Sequence, residues 1–209
     1  MAELVARREP AIIMPTLYFN INDEMACYPG TIAISPELVL RLYEELCSEA
    51  ARNGFTKIVL FVGHGGSEAV TDFFQHSLLH RQEERRRGYY VFRLFYWELN
   101  RLAQAALESG QEALGHGGEA ETAYVLRFRA DLVHMDKLPS QEEGPAPYLG
   151  KTVPGASYLV DWIRRVPRGY HGLPYLASPE KGGKLAETVA DECANIVRQI
   201  KAYDPERDR

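Results

Sequence analysis

The sequence predicts an α/β protein built on a parallel sheet, and two observations carry that expectation. The first is Lys57-Ile58-Val59-Leu60-Phe61-Val62, a nearly unbroken apolar run of strand length that ends in Gly63-His64-Gly65-Gly66. A run without alternation reads as a strand covered on both faces, which is the situation of a parallel strand between helix layers. The second is the order of the patterns, which alternates strand, loop, helix, strand, helix, strand and helix.

Taken in order, residues 2–8 read as the end of a helix without a visible start, and Ala11-Ile12-Ile13-Met14 as a short strand closed by Pro15. Leu17 to Gly30 is a loop too long for a plain connection. It carries Asn20, Asn22, Asp23 and Glu24 and closes on Tyr28-Pro29-Gly30-Thr31. Ser35-Pro36-Glu37 is a helix start, with a capping hydroxyl, proline at the first position and an acid in the first turn. Leu38, Leu42, Leu46 and Ala50 form one apolar row of that helix, beside Val39, Tyr43 and Cys47, and Gly54 ends it. The strand at 56–62 follows, then a helix opened by Ser67-Glu68 with Val70, Phe73, Phe74 and Leu78 inward. Tyr89 to Tyr96 is an aromatic, β-prone strand, and residues 98–109 are a helix stopped by Gly110.

Gly115-His116-Gly117-Gly118 opens a second glycine-rich turn, from which Glu119 to Arg129 continues as a helix. Leu138 to Gly150 reads as a surface loop, and Tyr158 to Trp162 as an aromatic stretch. Ser178-Pro179-Glu180 repeats the helix-start chemistry of Ser35-Pro36-Glu37. The last helix turns Leu185, Val189, Cys193, Ile196 and Ile200 to one side. The 209 residues suit one domain.

Composition narrows the function classes. A hydrophobic content of 45% and a charged content of 25% are those of an ordinary globular protein. The net charge of −5 argues against a nucleic-acid partner, which needs a basic face. Arg81 to Arg87 mixes signs at helical spacing and reads as a solvated helix end rather than a phosphate site. No apolar stretch is long enough to span a bilayer. Cys27, Cys47 and Cys193 are an odd number without CxxC spacing, so a reducing cytoplasm is expected.

The chemistry concentrates in the two Gly-His-Gly-Gly turns. Glycines remove Cβ atoms, so a ligand can come close to the backbone at Gly65 and Gly66. His64 then stands at the carboxyl end of a strand, where open α/β sheets collect ligands. The alternative is an imidazole that merely bonds a neighbouring loop. In the second turn, His116, Glu119 and Glu121 lie within six residues at a helix start, where the macrodipole favours a carboxylate. Imidazole and carboxylate suit Zn²⁺, Mn²⁺ or Fe²⁺, and with them metal-assisted hydrolysis. Glu119 and Glu121 point in different directions on a helix, so Glu119 is the candidate ligand and Glu121 a lock on the turn. The competing reading of His116 and Glu119 is a hydrogen-bonded network at a helix N-terminus. Asp23 and Glu24 are loop acids or part of a substrate lid, and Trp162 is a core ring or a substrate wall. His76, His80, His134 and His171 stand alone and read as surface or core residues. A dinucleotide-binding reading fails, because Gly63-His64-Gly65-Gly66 does not supply GxGxxG.

Five segments together resemble the creatininase (creatinine amidohydrolase) family. They are Pro15-Thr16-Leu17-Tyr18-Phe19, Tyr28-Pro29-Gly30-Thr31-Ile32, Val62-Gly63-His64-Gly65-Gly66, His116-Gly117-Gly118-Glu119-Ala120-Glu121-Thr122 and Ala177-Ser178-Pro179-Glu180-Lys181-Gly182. The resemblance implies a three-layer α/β/α sandwich with a Rossmann-like, mostly parallel sheet. It also implies an assembly, often a hexamer, and a metal site at the strand ends. Members hydrolyse amides, cyclic amides or formamides. Carried over by motif, His64 and Glu119 become metal ligands and His116 the proton shuttle; the reading of the residues themselves adds Glu24, Gly65, Gly66 and Trp162 as candidates near the substrate.

The family opens with a strand, a Glu-Gln-His-like motif and a bridging Asp, whereas the first histidine here is His64. Val62 and Ser67 also stand where asparagine is usual. The expectation is therefore a fold without its first strand, in a chain that is N-terminally short relative to the family. The function expected is metal-dependent hydrolysis of a small amide-like carbonyl compound through a metal-activated water. The alternative is a non-catalytic binding or assembly protein on the same fold.

Overall fold

The structure is a computed structural model that describes residues 1–81, 88–110, 114–139, 153, 155, 156, 159–204 and 207. The chain groups into two compact units. One comprises Met1–Asp23, Ile32–Trp97 and Asp191–Arg209, and the other Glu24–Thr31 and Glu98–Ala190.

In the first unit, β1 (Lys57–Val62) and β2 (Tyr90–Phe95) pair in parallel, with Lys57 opposite Tyr90 and Val62 opposite Phe95. Their carboxyl ends therefore share one edge, and Gly63-His64 leaves from it. Helix α1 (Ala2–Arg8) precedes them, its Arg8 Nε donating to Asp191 Oδ1 at 2.5 Å. Helix α2 (Pro36–Arg52) starts as the sequence predicts, with the Ser35 hydroxyl oxygen accepting from the Leu38 N–H. Helix α3 (Glu68–His80) follows the first glycine-rich turn.

The core of this unit gathers Val39, Tyr43 and Cys47 of α2, Val70, Phe74 and Leu78 of α3, and Tyr89, with Ile58, Leu60 and Val91 packed against it. The rings of Tyr43 and Phe74 meet at 5.6 Å. Two details correct the sequence reading. Leu38 is 54% exposed, so α2 buries the neighbouring row through Val39, Tyr43 and Cys47. Phe73 is likewise exposed while Phe74 is fully buried. Burial pushes the Cys47 thiol up to about 12. It raises that of Cys193 to about 11, so both behave as small apolar residues.

Ala11–Met14 is the larger correction, because it forms no strand and leaves Ile12, Ile13 and Met14 exposed. A strand exists only where a partner edge meets its backbone groups, and among the described residues none does so there. The nearest pairing is the isolated parallel bridge between Asn20 and Ala33. Arg81 closes α3 with an ion pair to Glu44, and the remainder of the Arg81–Arg87 run lies outside the described residues.

Helix α4 (Tyr96–Leu99) begins in the first unit, and the second unit continues from it with a 3₁₀ segment over Asn100–Ala106. A short α-helix and a 3₁₀ turn thus replace the single helix expected over 98–109. Helix α5 (Glu119–Arg129) runs as predicted. Helix α6 (Pro179–Ala202) contributes Leu185, Ala186 and Val189 to the buried residues of this unit, and Cys193 and Val197 to those of the first. Among the described residues no helix is long and apolar enough to cross a membrane. The loop expected at Leu138–Gly150 lies almost wholly outside the described residues, as does Tyr158.

Candidate functional site

In the first unit the motif at the strand end is a tight turn. After Val62 the chain passes Gly63 and His64 into a 3₁₀ turn over Gly65–Ser67, closed by the Ser67 N–H donating to the His64 carbonyl at 3.1 Å. The Thr71 hydroxyl donates to the Ser67 carbonyl at 2.9 Å and ties the turn to α3. Gly63 lets the ring of Tyr96 come close, since a Cβ would sit 3.2 Å from it, tighter than ordinary contact. That ring stacks on Phe61 at 5.6 Å. His64 is half-buried, Gly65 is exposed and Gly66 half-buried, so the turn keeps an open side.

In the second unit the helix-start motif is pinned from several directions. Gly117 has φ +60°, and a Cβ on it would lie 2.9 Å from that of Tyr170, so only glycine suits the position. Glu121 accepts from the Gly117 N–H at 2.7 Å and locks the turn, as the spacing predicts. The carbonyl of His116 accepts from the His171 N–H at 2.6 Å. Its imidazole meets the indole of Trp162 edge to face at 4.9 Å. Tyr28 of the Tyr28-Pro29-Gly30-Thr31 motif donates its hydroxyl to the Val166 carbonyl in the same strap. Glu24 sits half-buried in a 3₁₀ turn over Asp23–Met25, its carbonyl accepting from the Cys27 thiol.

Glu119, the first residue of α5, is 0% exposed and charged. Its carboxylate accepts from the Glu108 N–H at 3.0 Å, from the Ser109 N–H at 2.8 Å and hydroxyl at 2.5 Å, and from Lys181 Nζ at 2.6 Å. Burial pushes its carboxyl up, but the bonds from Lys181, Ser109 and the Glu108 backbone outweigh that and hold it below the usual carboxylate range. Lys181 also donates to the Leu176 carbonyl at 2.6 Å and pairs with Glu108 at 2.7 Å. Burial works against its charge, and the two carboxylates overcome this and raise it.

The structure thus places His64, Gly65 and Gly66 in the first unit, and His116, Glu119, Trp162 and Glu24 in the second. It joins His116 to Trp162, and Glu119 to Ser109 and Lys181, two residues that the motif reading did not single out for a role. One local signal pointed to Lys181: a lysine in the first turn of a helix opposes the macrodipole and calls for an anion nearby.

Among the described residues no group of three His, Cys, Asp or Glu side chains is gathered to hold a metal ion. The donors around Glu119 are ammonium, hydroxyl and backbone N–H, and an ammonium already meets the carboxylate. As arranged, this set fits the Lys181 cation and not a divalent one.

A parallel strand pair with a glycine-histidine turn at its carboxyl edge, and a second such turn opening a helix on a buried carboxylate, define an α/β protein with two glycine-histidine turns. The family profile described as creatinine amidohydrolase matches residues 1–197, and the chain belongs to the creatininase family. The creatinine amidohydrolase of Pseudomonas putida is 24% identical over 206 residues, covering 93% of this chain and 77% of the relative. A creatininase solved with Mn superposes with a TM-score of 0.78 at 25% identity, over 95% of this chain and 79% of its own. A mutant creatininase of the Zn-Zn type gives 0.77 at 24% identity over 95% and 79%. These likenesses bear out the α/β fold of the family.

Proposed function

We propose that this chain hydrolyses a C–N bond in a small amide, cyclic amide or related carbonyl compound, with His116 delivering the proton to the leaving nitrogen. The observation that carries this reading is the His116 turn. A histidine at the start of α5 is oriented through its own carbonyl and by an indole edge, in a chain whose relative is a creatinine amidohydrolase. In such a reaction the water oxygen ends on the acyl carbon and the nitrogen leaves with a proton. An imidazole can take a proton at one ring nitrogen and give one from the other, which suits that transfer. Gly65 and Gly66 leave room for a substrate, and Trp162 and Glu24 are its proposed neighbours.

The finer form of the reading adds a divalent metal, Zn, Mn or Fe, at His64 and Glu119, and the Mn in the similar creatininase supports it. The closed ion pair at Glu119 favours the second reading, a binding or assembly protein on this fold. A homo-oligomer belongs to both readings, supported by the exposed row of Ile12, Ile13, Met14, Leu17 and Phe19, and a cytoplasmic setting is proposed with it from the cysteine pattern.

The test is an amidase screen with creatinine, cyclic amides and formamides, with Mn²⁺ or Zn²⁺ added. The wild type should turn over at least one of them, and His116→Ala should lose about 10²–10⁴-fold in kcat. No turnover by the wild type on any substrate in the series would move the assignment to the binding reading.

A further inference from the structure

Glu119 meets a cation that the chain itself supplies. Lys181 Nζ lies 2.6 Å from Glu119 Oε1, 2.7 Å from Glu108 Oε1 and 2.6 Å from the Leu176 carbonyl oxygen, so three oxygens surround one ammonium. The remaining capacity of the Glu119 carboxylate goes to Ser109 and to the backbone at 108 and 109. Oxygens around a compact positive centre are also what a hard divalent cation takes. Lys181 stands on α6 and Glu119 on α5, 62 residues apart, so the pairing is a property of the fold and not of a local turn.

We propose that Lys181 is a built-in cation filling the seat at Glu119, so that its ammonium and a divalent metal exclude one another there. Two positive centres competing for one oxygen of a fully buried carboxylate repel each other with little screening on the Glu119 side. While Lys181 is in place, Glu119 serves as a brace that holds the 108–109 backbone to the start of α5. Occupation by a metal requires the lysine side chain to swing out. The inference deepens the metal form of the proposed function and rests on Glu119 being the carboxylate in question.

The experiment is titration of the full chain with Mn²⁺, followed by the paramagnetic signal of the free ion, in wild type, Lys181→Met, Lys181→Gln and the Lys181→Met/Glu119→Gln pair. Thermal melts establish which variants are folded. Removing the ammonium should tighten Mn²⁺ binding by roughly tenfold or more, and adding Glu119→Gln should abolish the gain. A folded Lys181 variant that binds Mn²⁺ no tighter than wild type overturns the exclusion. So does a gain that survives Glu119→Gln.

If neither single variant folds, the wild type decides through acylation of Lys181, read by mass spectrometry with and without millimolar Mn²⁺. Faster acylation with the metal supports the exclusion, and an unchanged rate overturns it. The two proposals fail separately. Equal metal affinity in all forms leaves hydrolysis standing, and absence of amidase activity leaves a measured competition standing.

Discussion

Two adjacent glycines near the start of α6 should respond to the same substitution with opposite sign. Gly182 packs where α6 crosses α5. A Cβ built there would fall inside the Ala123 carbonyl group and 2.9 Å from the Cβ of Arg127. Neither obstacle is the free end of a flexible chain: one is helix backbone and the other the root of a side chain. The two helices would have to separate, and overpacking of this kind costs about 1–3 kcal/mol, at the upper end when backbone must move. Gly183 is the control. Its added Cβ would meet only the outer atoms of Arg127, at 3.6 and 3.8 Å, which is ordinary contact. There alanine should gain roughly 0.5–1 kcal/mol from the smaller entropy of its unfolded state and better helix propensity.

The expected gap between Gly182→Ala and Gly183→Ala is therefore about 2–4 kcal/mol. Chemical denaturation followed by circular dichroism measures it as a shift in midpoint at constant slope. Two variants within about 0.5 kcal/mol of each other would refute the claim that α6 touches α5 through the bare backbone of Gly182.

Three further outcomes follow from the geometry. The Glu119 carboxyl is held below its ordinary value of 4.5, so its stabilising contribution is complete above that value and fades as pH falls through the folded-state value. Wild type should lose stability in acid more steeply than Glu119→Gln. At neutral pH the variant should be weaker by about 1–3 kcal/mol, the cost of disturbing the buried bonds at 108 and 109 while Lys181 keeps Glu108; parallel acid melts would contradict this. Phe74→Ala should cost about 3–5 kcal/mol while Phe73→Ala stays below about 1, since the first is fully buried and the second 60% exposed. Equal losses would put α3 the other way round. Trp162→Leu should shift the ring-proton resonances of His116, which lie at the indole edge, and unchanged shifts would remove Trp162 as its partner.

The glycine-rich turns illustrate how one motif serves two ends. In both, an absent Cβ lets a tyrosine come close, Tyr96 through its ring at Gly63 and Tyr170 through its Cα and Cβ at Gly117. The histidine of each turn is held through its carbonyl, by the Ser67 N–H for His64 and the His171 N–H for His116. Each turn is therefore held through a backbone carbonyl rather than through the ring nitrogens of its histidine.

What the sequence determined by itself is local. The caps at Ser35 and Ser178 and the lock of Glu121 on Gly117 act over four residues or fewer, and the apolar run of β1 with the glycines after it is one continuous stretch. Their signals therefore survive without the fold, and they also carry the motifs through which the family is legible. Only the tertiary structure decided which of two adjacent apolar rows of α2 is buried, because Leu38, Leu42 and Leu46 are as apolar as Val39, Tyr43 and Cys47 and lie about 100° away on the same helix. It also decided the fate of Ala11–Met14, whose β-prone side chains cannot make a strand without a neighbouring edge. The ion pair at Glu119 belongs to the same class. A helix-start carboxylate reads equally as a metal ligand or a brace, and the choice lies with Lys181, set 62 residues further along the chain by the crossing of α6 over α5.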